Sequence, residues 1–250
     1  MGALEGRVAV VTGGGSGIGR AASIALARCG ACVVVANRRE PEGEETVALI
    51  TRAGGQAAFK RTDLRDVTQI RELFDFAPMR FGLVSIGFNN AGFQEHRAPF
   101  TELEDGVYED VFTINVRAVF LCMKHEIRQM LQIGGGAIIN NASVSGVRNP
   151  NPGLALYSAS KGAVISLTKS AAMEYGPAKI RVNAVSPGRV QTPMMLNSGI
   201  ADMAEVARGL PLRRLGDPEE VAAAVVWLAS TASSFVTGHV LTVDGGFLAA

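Results

Sequence analysis

The stretch Thr12-Gly13-Gly14-Gly15-Ser16-Gly17-Ile18-Gly19 constrains the fold of this chain more than any other. It follows the β-branched run Arg7-Val8-Ala9-Val10-Val11 and precedes Arg20 to Cys29, whose apolar residues recur at helical spacing, so the segment reads as strand, glycine turn, helix. Such a turn lets backbone N–H groups and the positive end of the following helix approach a pyrophosphate with no side chain in the way. A glycine-rich loop by itself can be only a tight turn; its place between a first strand and a first helix gives it weight.

The same alternation continues along the chain. Apolar runs predict strands near 7–12, 31–36, 56–60, 83–89, 136–142, 180–185 and 239–243, and amphipathic helical patterns fill the gaps. The fold class is therefore α/β, a doubly wound parallel sheet of seven strands with helices on both faces. In such a sheet ligands bind beyond the carboxyl ends of the strands. Thr12, Asn37, Asp63, Asn89, Ser143 and Pro187 all fall at or just past those ends, so one crevice can collect them. With 250 residues, 48% of them hydrophobic, the chain can bury one substantial core, and residues 1–250 read as a single domain without linker or repeat.

Tyr157 and Lys161 stand four residues apart within a helical pattern, one turn apart on one face. A phenol has a reference pKa of about 10 and is a poor acid or base at neutral pH until a cation stabilises its phenolate. Lys161 is placed to be that cation. The ordinary alternative is an aromatic anchor beside a solvated charge.

With the glycine turn and this pair in hand, the chain resembles the short-chain dehydrogenase/reductase family over essentially its whole length. Further pieces fall in family order: Asp63, Asn89-Asn90-Ala91-Gly92, Asn115 within a long helical pattern, Ser143, Ser186-Pro187-Gly188 through Thr192, and Val243-Asp244-Gly245-Gly246. The resemblance implies a Rossmann-type fold and hydride transfer between a nicotinamide and a ketone or secondary alcohol. Tyr157 would then be the general acid/base, Ser143 would bond the reacting oxygen, and Lys161 would lower the Tyr157 pKa and bond the nicotinamide ribose. Asn115 would hold a water beside Lys161, or simply bridge two elements, where the long helix is perturbed. Gly13, Gly17, Ile18 and Gly19 would meet the phosphates, and Asp63 and Leu64 the adenine. Asn89, Ala91 and Gly92 would pass under the ribose and diphosphate, with Asn90 at the sheet centre. Pro187, Gly188, Val190 and Thr192 would cradle the nicotinamide.

The end of the second strand bears on which dinucleotide is used. Asn37 lacks the charge with which a carboxylate would select NAD, and Arg38 matches the phosphate-binding arginine of NADP-using relatives, which favours NADP over NAD. Departures from the family pattern are Ser85 where many members carry Asp, Ala118 where many carry Gly, and a loop of one extra residue between Ser143 and Tyr157. Residues 93–97, 144–153 and 193–210 should wall the substrate pocket. Met194, Met195 and Leu196 suggest an adaptable apolar cover for a substrate of modest polarity.

Other classes fare worse. A net charge of +1 with interspersed signs gives no basic stripe for nucleic acid, and no apolar run is long enough for a membrane. Cys29-Gly30-Ala31-Cys32 spans a helix end and a strand start, so Gly30 reads as the helix terminator and the cysteines as packing residues; no metal site is expected. The resemblance further implies a homotetramer, and with no signal peptide read in Met1 to Gly6 a cytoplasmic location is the default expectation. Two alternatives are a catalytically idle dinucleotide-binding regulator and a Ser-x-x-Lys acyl transferase using Ser158, whose companion Ser-Asp-Asn and Lys-Thr-Gly elements do not occur.

Overall fold

A computed structural model of the chain describes residues 2–149, 152–200 and 202–250. Its seven strands are β1 (Val8–Thr12), β2 (Cys32–Asn37), β3 (Gln56–Arg61), β4 (Ile86–Asn89), β5 (Gly136–Asn141), β6 (Ile180–Pro187) and β7 (Val240–Val243). They form one parallel sheet in the order β3-β2-β1-β4-β5-β6-β7. Successive strands are added outward from β1 on one side and from β4 on the other, so the strand order switches between β1 and β4 and a crevice opens there.

Alternate residues of each strand feed opposite cores. Ala9 and Val11 of β1 pack with helices α1 (Gly17–Arg28), α2 (Glu40–Arg52) and α10 (Pro218–Ala229), whereas Val10 packs with α3 (Val67–Arg80), α5 (Ala118–Ile133) and α7 (Ala155–Tyr175). Covering both faces is why the central strands read as continuous apolar runs rather than alternating ones. Gly30, with φ of +99°, ends the turn after α1 as expected, and Cys29 and Cys32 are unbridged. Burial, with Glu5 nearby, pushes the Cys32 thiol up, away from reactivity.

One boundary differs from the sequence reading. β4 begins at Ile86, not near residue 83, because side chains take the preceding ladder positions: Val84 N–H donates to Gln129 Oε1 at 2.8 Å and Val8 N–H to Ser85 Oγ at 3.1 Å. The perturbed helix is present. Helix α4 (Asp105–Phe112) passes into α5 through a π-helical turn, Thr113–Arg117, that contains Asn115.

Short helices α6 (Val144–Val147), α8 (Pro193–Leu196) and α9 (Met203–Arg208) occupy the pocket-walling loops. Pro150, Asn151 and Ala201 of those loops lie outside the described residues. Among the described residues no helix is long and apolar enough to cross a membrane.

Candidate active site

The glycine turn opens a cavity of about 400 Å³ over the carboxyl ends of β1, β2 and β4. Gly13 and Gly17 adopt φ of +64° and +51°, a region that L side chains rarely enter, and both line the cavity with Ile18. Ser16, the residue before α1, makes no side-chain cap, so the first N–H groups of α1 are left to whatever the turn holds. The turn is held from behind by Asn90, whose Nδ2 donates to the carbonyls of Thr12 (3.0 Å) and Gly13 (3.3 Å). Arg20 Nε donates to the Gly15 carbonyl at 2.9 Å. These features fit a dinucleotide diphosphate.

Two sequence assignments change. Gly19 does not line the cavity: a Cβ there would stand 2.2 Å from the Gly13 carbonyl oxygen, so this glycine allows the helix to pack against the turn. The Asn89 side chain is turned inward, 2% exposed, with Nδ2 donating to Glu126 Oε2 and Asn140 Oδ1 at 3.0 Å each. Successive side chains of a strand point to opposite faces, so Asn89 serves the buried face and Asn90 the turn. Ala91 and Gly92 line the cavity as expected, as do Asn37, Arg38, Asp63 and Leu64 at its far end. Asp63 is fixed by its own turn, with Oδ1 accepting from Arg65 N–H at 3.0 Å.

The cavity continues past Thr192 and Met194 into a second one of about 110 Å³, lined by Ser143, Tyr157, Lys161, Pro187, Gly188 and Val190. Ser143 caps α6, accepting from Ser145 N–H at 3.1 Å, and its hydroxyl lines the same cavity as the Tyr157 phenol. The cap and a place in the cavity lining are compatible in this serine. Lys161 Nζ donates to the Asn141 carbonyl at 2.6 Å and lies 5.6 Å from the Tyr157 ring centroid. Burial holds the ammonium down at about 8.

Among the chain's own groups the balance on the phenol is upward. Burial pushes Tyr157 up and Glu95 adds to this, while only the Ser143 hydroxyl works the other way. Low polarizability around the ring therefore outweighs an ammonium that sits beside the ring face and spends a proton on Asn141. Asn115, fully buried, brackets Phe93, with Oδ1 accepting from its N–H at 2.7 Å and Nδ2 donating to its carbonyl at 2.8 Å and to Ser160 Oγ at 2.9 Å. It bridges the long helix, the loop after β4 and α7, and its Oδ1 comes near Lys161 Nζ across Gly92.

Sequence reasoning missed three charged residues here. Glu95 and Glu126 are buried carboxyls, and Arg189 lines the second cavity. Position 126 carried a signal, since it falls inside the buried stripe Val119, Cys122, Met123, Ile127, Met130 of α5. Nothing local marked Glu95. Ser158 donates to Asn149 Oδ1 at 2.9 Å and does not line the cavity, so nothing favours it as a nucleophile.

Known proteins give the same reading. The family model described as enoyl-(acyl carrier protein) reductase matches residues 13–248. The cis-4-hydroxycyclohexanecarboxylate dehydrogenase of Sinomonas cyclohexanicum is 44% identical over 97% of this chain and 97% of its own length. A short chain dehydrogenase/reductase of Aspergillus oryzae is 38% identical over 97% and 95%. The crystal structure of levodione reductase superposes with a TM-score of 0.95 at 32% identity, covering 99% of both chains. Among similar solved structures one holds NADH and another NADP. The chain belongs to the short-chain dehydrogenase/reductase family, as an NAD(P)-dependent oxidoreductase.

Proposed function

We propose that this enzyme interconverts a secondary alcohol and a ketone, with Tyr157 as general acid/base. The observation that carries the reading is that Ser143, Tyr157 and Lys161 line one end of a cleft whose other end is the glycine turn. A bound nicotinamide dinucleotide supplies or accepts the hydride. The chain's own residues do the rest. Ser143 Oγ and the Tyr157 hydroxyl form a two-point cradle for one oxygen, which fixes the carbonyl carbon in place. In reduction Tyr157 gives its proton to that oxygen; in oxidation it takes one. Lys161, protonated below about pH 8, holds positive charge on the same cavity wall and would hydrogen-bond the ribose.

The substrate we propose is a small alicyclic alcohol or ketone bearing a carboxylate. Arg189 is a second cation of the cavity lining, outside the proton-transfer set. Arg97 adds further positive charge beside it. The Sinomonas relative, named for a hydroxycyclohexanecarboxylate, supports this choice. Met194 and Met195 supply the apolar wall.

NADP is the favoured dinucleotide. Arg38 lines the far end of the cleft beside Asn37, whereas Arg39 is engaged by Glu42 and Asn37 Nδ2 donates to the Arg39 carbonyl at 2.7 Å. We further propose one domain over residues 1–250, a homotetramer and a cytoplasmic location. Phe120 and Leu131 on α5 and Met173 on α7, exposed by 49%, 49% and 83%, offer contact surface, and three unbridged cysteines suit a reducing compartment.

The experiment is a turnover panel of cyclohexanols and cyclohexanones with and without a ring carboxylate, read by nicotinamide absorbance. Turnover on the panel with at least tenfold higher kcat/KM for carboxylated members, lost in Arg189→Met, supports the substrate reading. Equal efficiency for charged and neutral members contradicts it.

A further inference from the structure

Glu95 belongs to the loop that follows Asn89-Asn90-Ala91-Gly92, yet it is only 3% exposed and is absent from the lining of the substrate cavity. Both of its carboxylate oxygens accept from the backbone N–H of Tyr157, at 3.0 and 3.1 Å. Tyr157 is the third residue of α7, and Leu154, at the capping position, offers no side-chain acceptor. The first N–H groups of a helix have no partner within it, and a Ser, Thr, Asp or Asn at the start ordinarily supplies one. Here a carboxylate 62 residues upstream does so. Negative charge at this end of a helix is also favoured by its dipole.

The rest of the loop is pinned as well. Asn115 brackets Phe93 on one side of Glu95 (2.7 and 2.8 Å), and on the other Arg97 Nη1 donates to the Pro152 carbonyl at 2.9 Å. Glu95 therefore sits at the middle of a fixed segment and bonds the backbone of the residue whose phenol faces the substrate cavity. We propose that Glu95 is a positioning residue of the reaction: from the substrate loop it caps the catalytic helix, sets the height of Tyr157 against Ser143, and places a negative charge near the phenol.

This rests on the proposed role of Tyr157. The groups placed about Tyr157 are Ser143 from the end of β5, Lys161 one turn along α7, and Glu95, with Arg189 from the loop after β6 lining the same cavity. Glu95 pushes the phenol up. The sign is that Glu95 keeps Tyr157 in its proton-donating form to higher pH, which favours carbonyl reduction and delays alcohol oxidation as pH rises.

The test compares wild type with Glu95→Gln and Glu95→Asp. Gln keeps a hydrogen-bond acceptor and loses the charge; Asp keeps the charge on an arm one methylene shorter. Tyr157 ionisation is read by ultraviolet difference titration of the protein without cofactor, with Tyr157→Phe as baseline. Glu95→Gln should lower the midpoint by roughly half to one pH unit and move the rising limb of the alcohol-oxidation profile down with it. Glu95→Asp should leave the midpoint within a few tenths of a unit and lower kcat about tenfold, with KM little changed. An unmoved or raised midpoint in Glu95→Gln, or wild-type kcat in Glu95→Asp, overturns the proposal. If Glu95→Gln does not fold, the Glu95→Asp kcat decides. Failure of Tyr157 as acid/base would show separately, as activity in Tyr157→Phe.

Discussion

Glu126 is fully buried on α5, and among the described residues its carboxylate accepts from Asn89 Nδ2 at 3.0 Å while Oε1 is left without a hydrogen bond. Burial raises its pKa from 4.5 to about 8, against the small opposing pull of Asn89. A carboxyl whose folded pKa lies above its unfolded value holds its proton better in the folded chain. Its contribution is therefore most favourable below pH 4.5, declines as pH rises toward 8, and is flat above. At pH 7 the loss amounts to roughly 3 to 4 kcal/mol, and past pH 8 to roughly 5, a large share of a typical domain's stability.

Glu126→Gln keeps the volume and the acceptor for Asn89 but cannot ionise. Urea unfolding of both proteins at intervals from pH 5 to 7.5 should show the variant gaining on wild type by up to about 1.4 kcal/mol per pH unit. His125, whose pKa burial lowers, titrates in the same window, but it is common to both proteins and cancels in the difference. Lys161 loses its proton only near the upper edge. A difference that is constant with pH would refute the reasoning, because the buried carboxyl would then be titrating alike in the folded and unfolded chains.

Two further outcomes follow. Arg38→Ala should reduce kcat/KM with NADP by about tenfold to a hundredfold and leave NAD use nearly intact, while Asn37→Asp should shift preference to NAD; steady-state kinetics with both dinucleotides decides, and NADP use indifferent to Arg38 would contradict the assignment. Light scattering at micromolar concentration should return a tetramer mass, and Phe120→Asp, on the exposed face of α5, should shift it downward; a strictly monomeric wild type would count against the assembly.

The sheet was legible because strand runs such as Val8–Val11 and Ile138–Ile139 are buried on both faces, and burial leaves a chemical trace in the residues themselves. The glycine turn and the Ser143, Tyr157, Lys161 set were legible because close backbone approach and proton transfer each demand particular residue types. What stayed hidden depends on contacts between distant segments. Which of Asn89 and Asn90 faces the turn is a matter of one residue of strand phase. That Gly19 packs against the Gly13 carbonyl depends on how α1 tilts against the turn. Glu95 caps a helix 62 residues away, a pairing that no local spacing encodes. The Tyr157 environment could not be read from a Tyr-x-x-x-Lys spacing, because the spacing gives proximity and not the burial that outweighs it.

The most direct test of the central claim is Tyr157→Phe, assayed for turnover and for dinucleotide affinity on the same preparation. The ring and its packing remain, and the hydroxyl that faces the cavity with Ser143 is removed. Turnover should fall by about 10²- to 10⁴-fold while the Kd for the dinucleotide changes less than about threefold. Wild-type turnover in Tyr157→Phe would contradict the account.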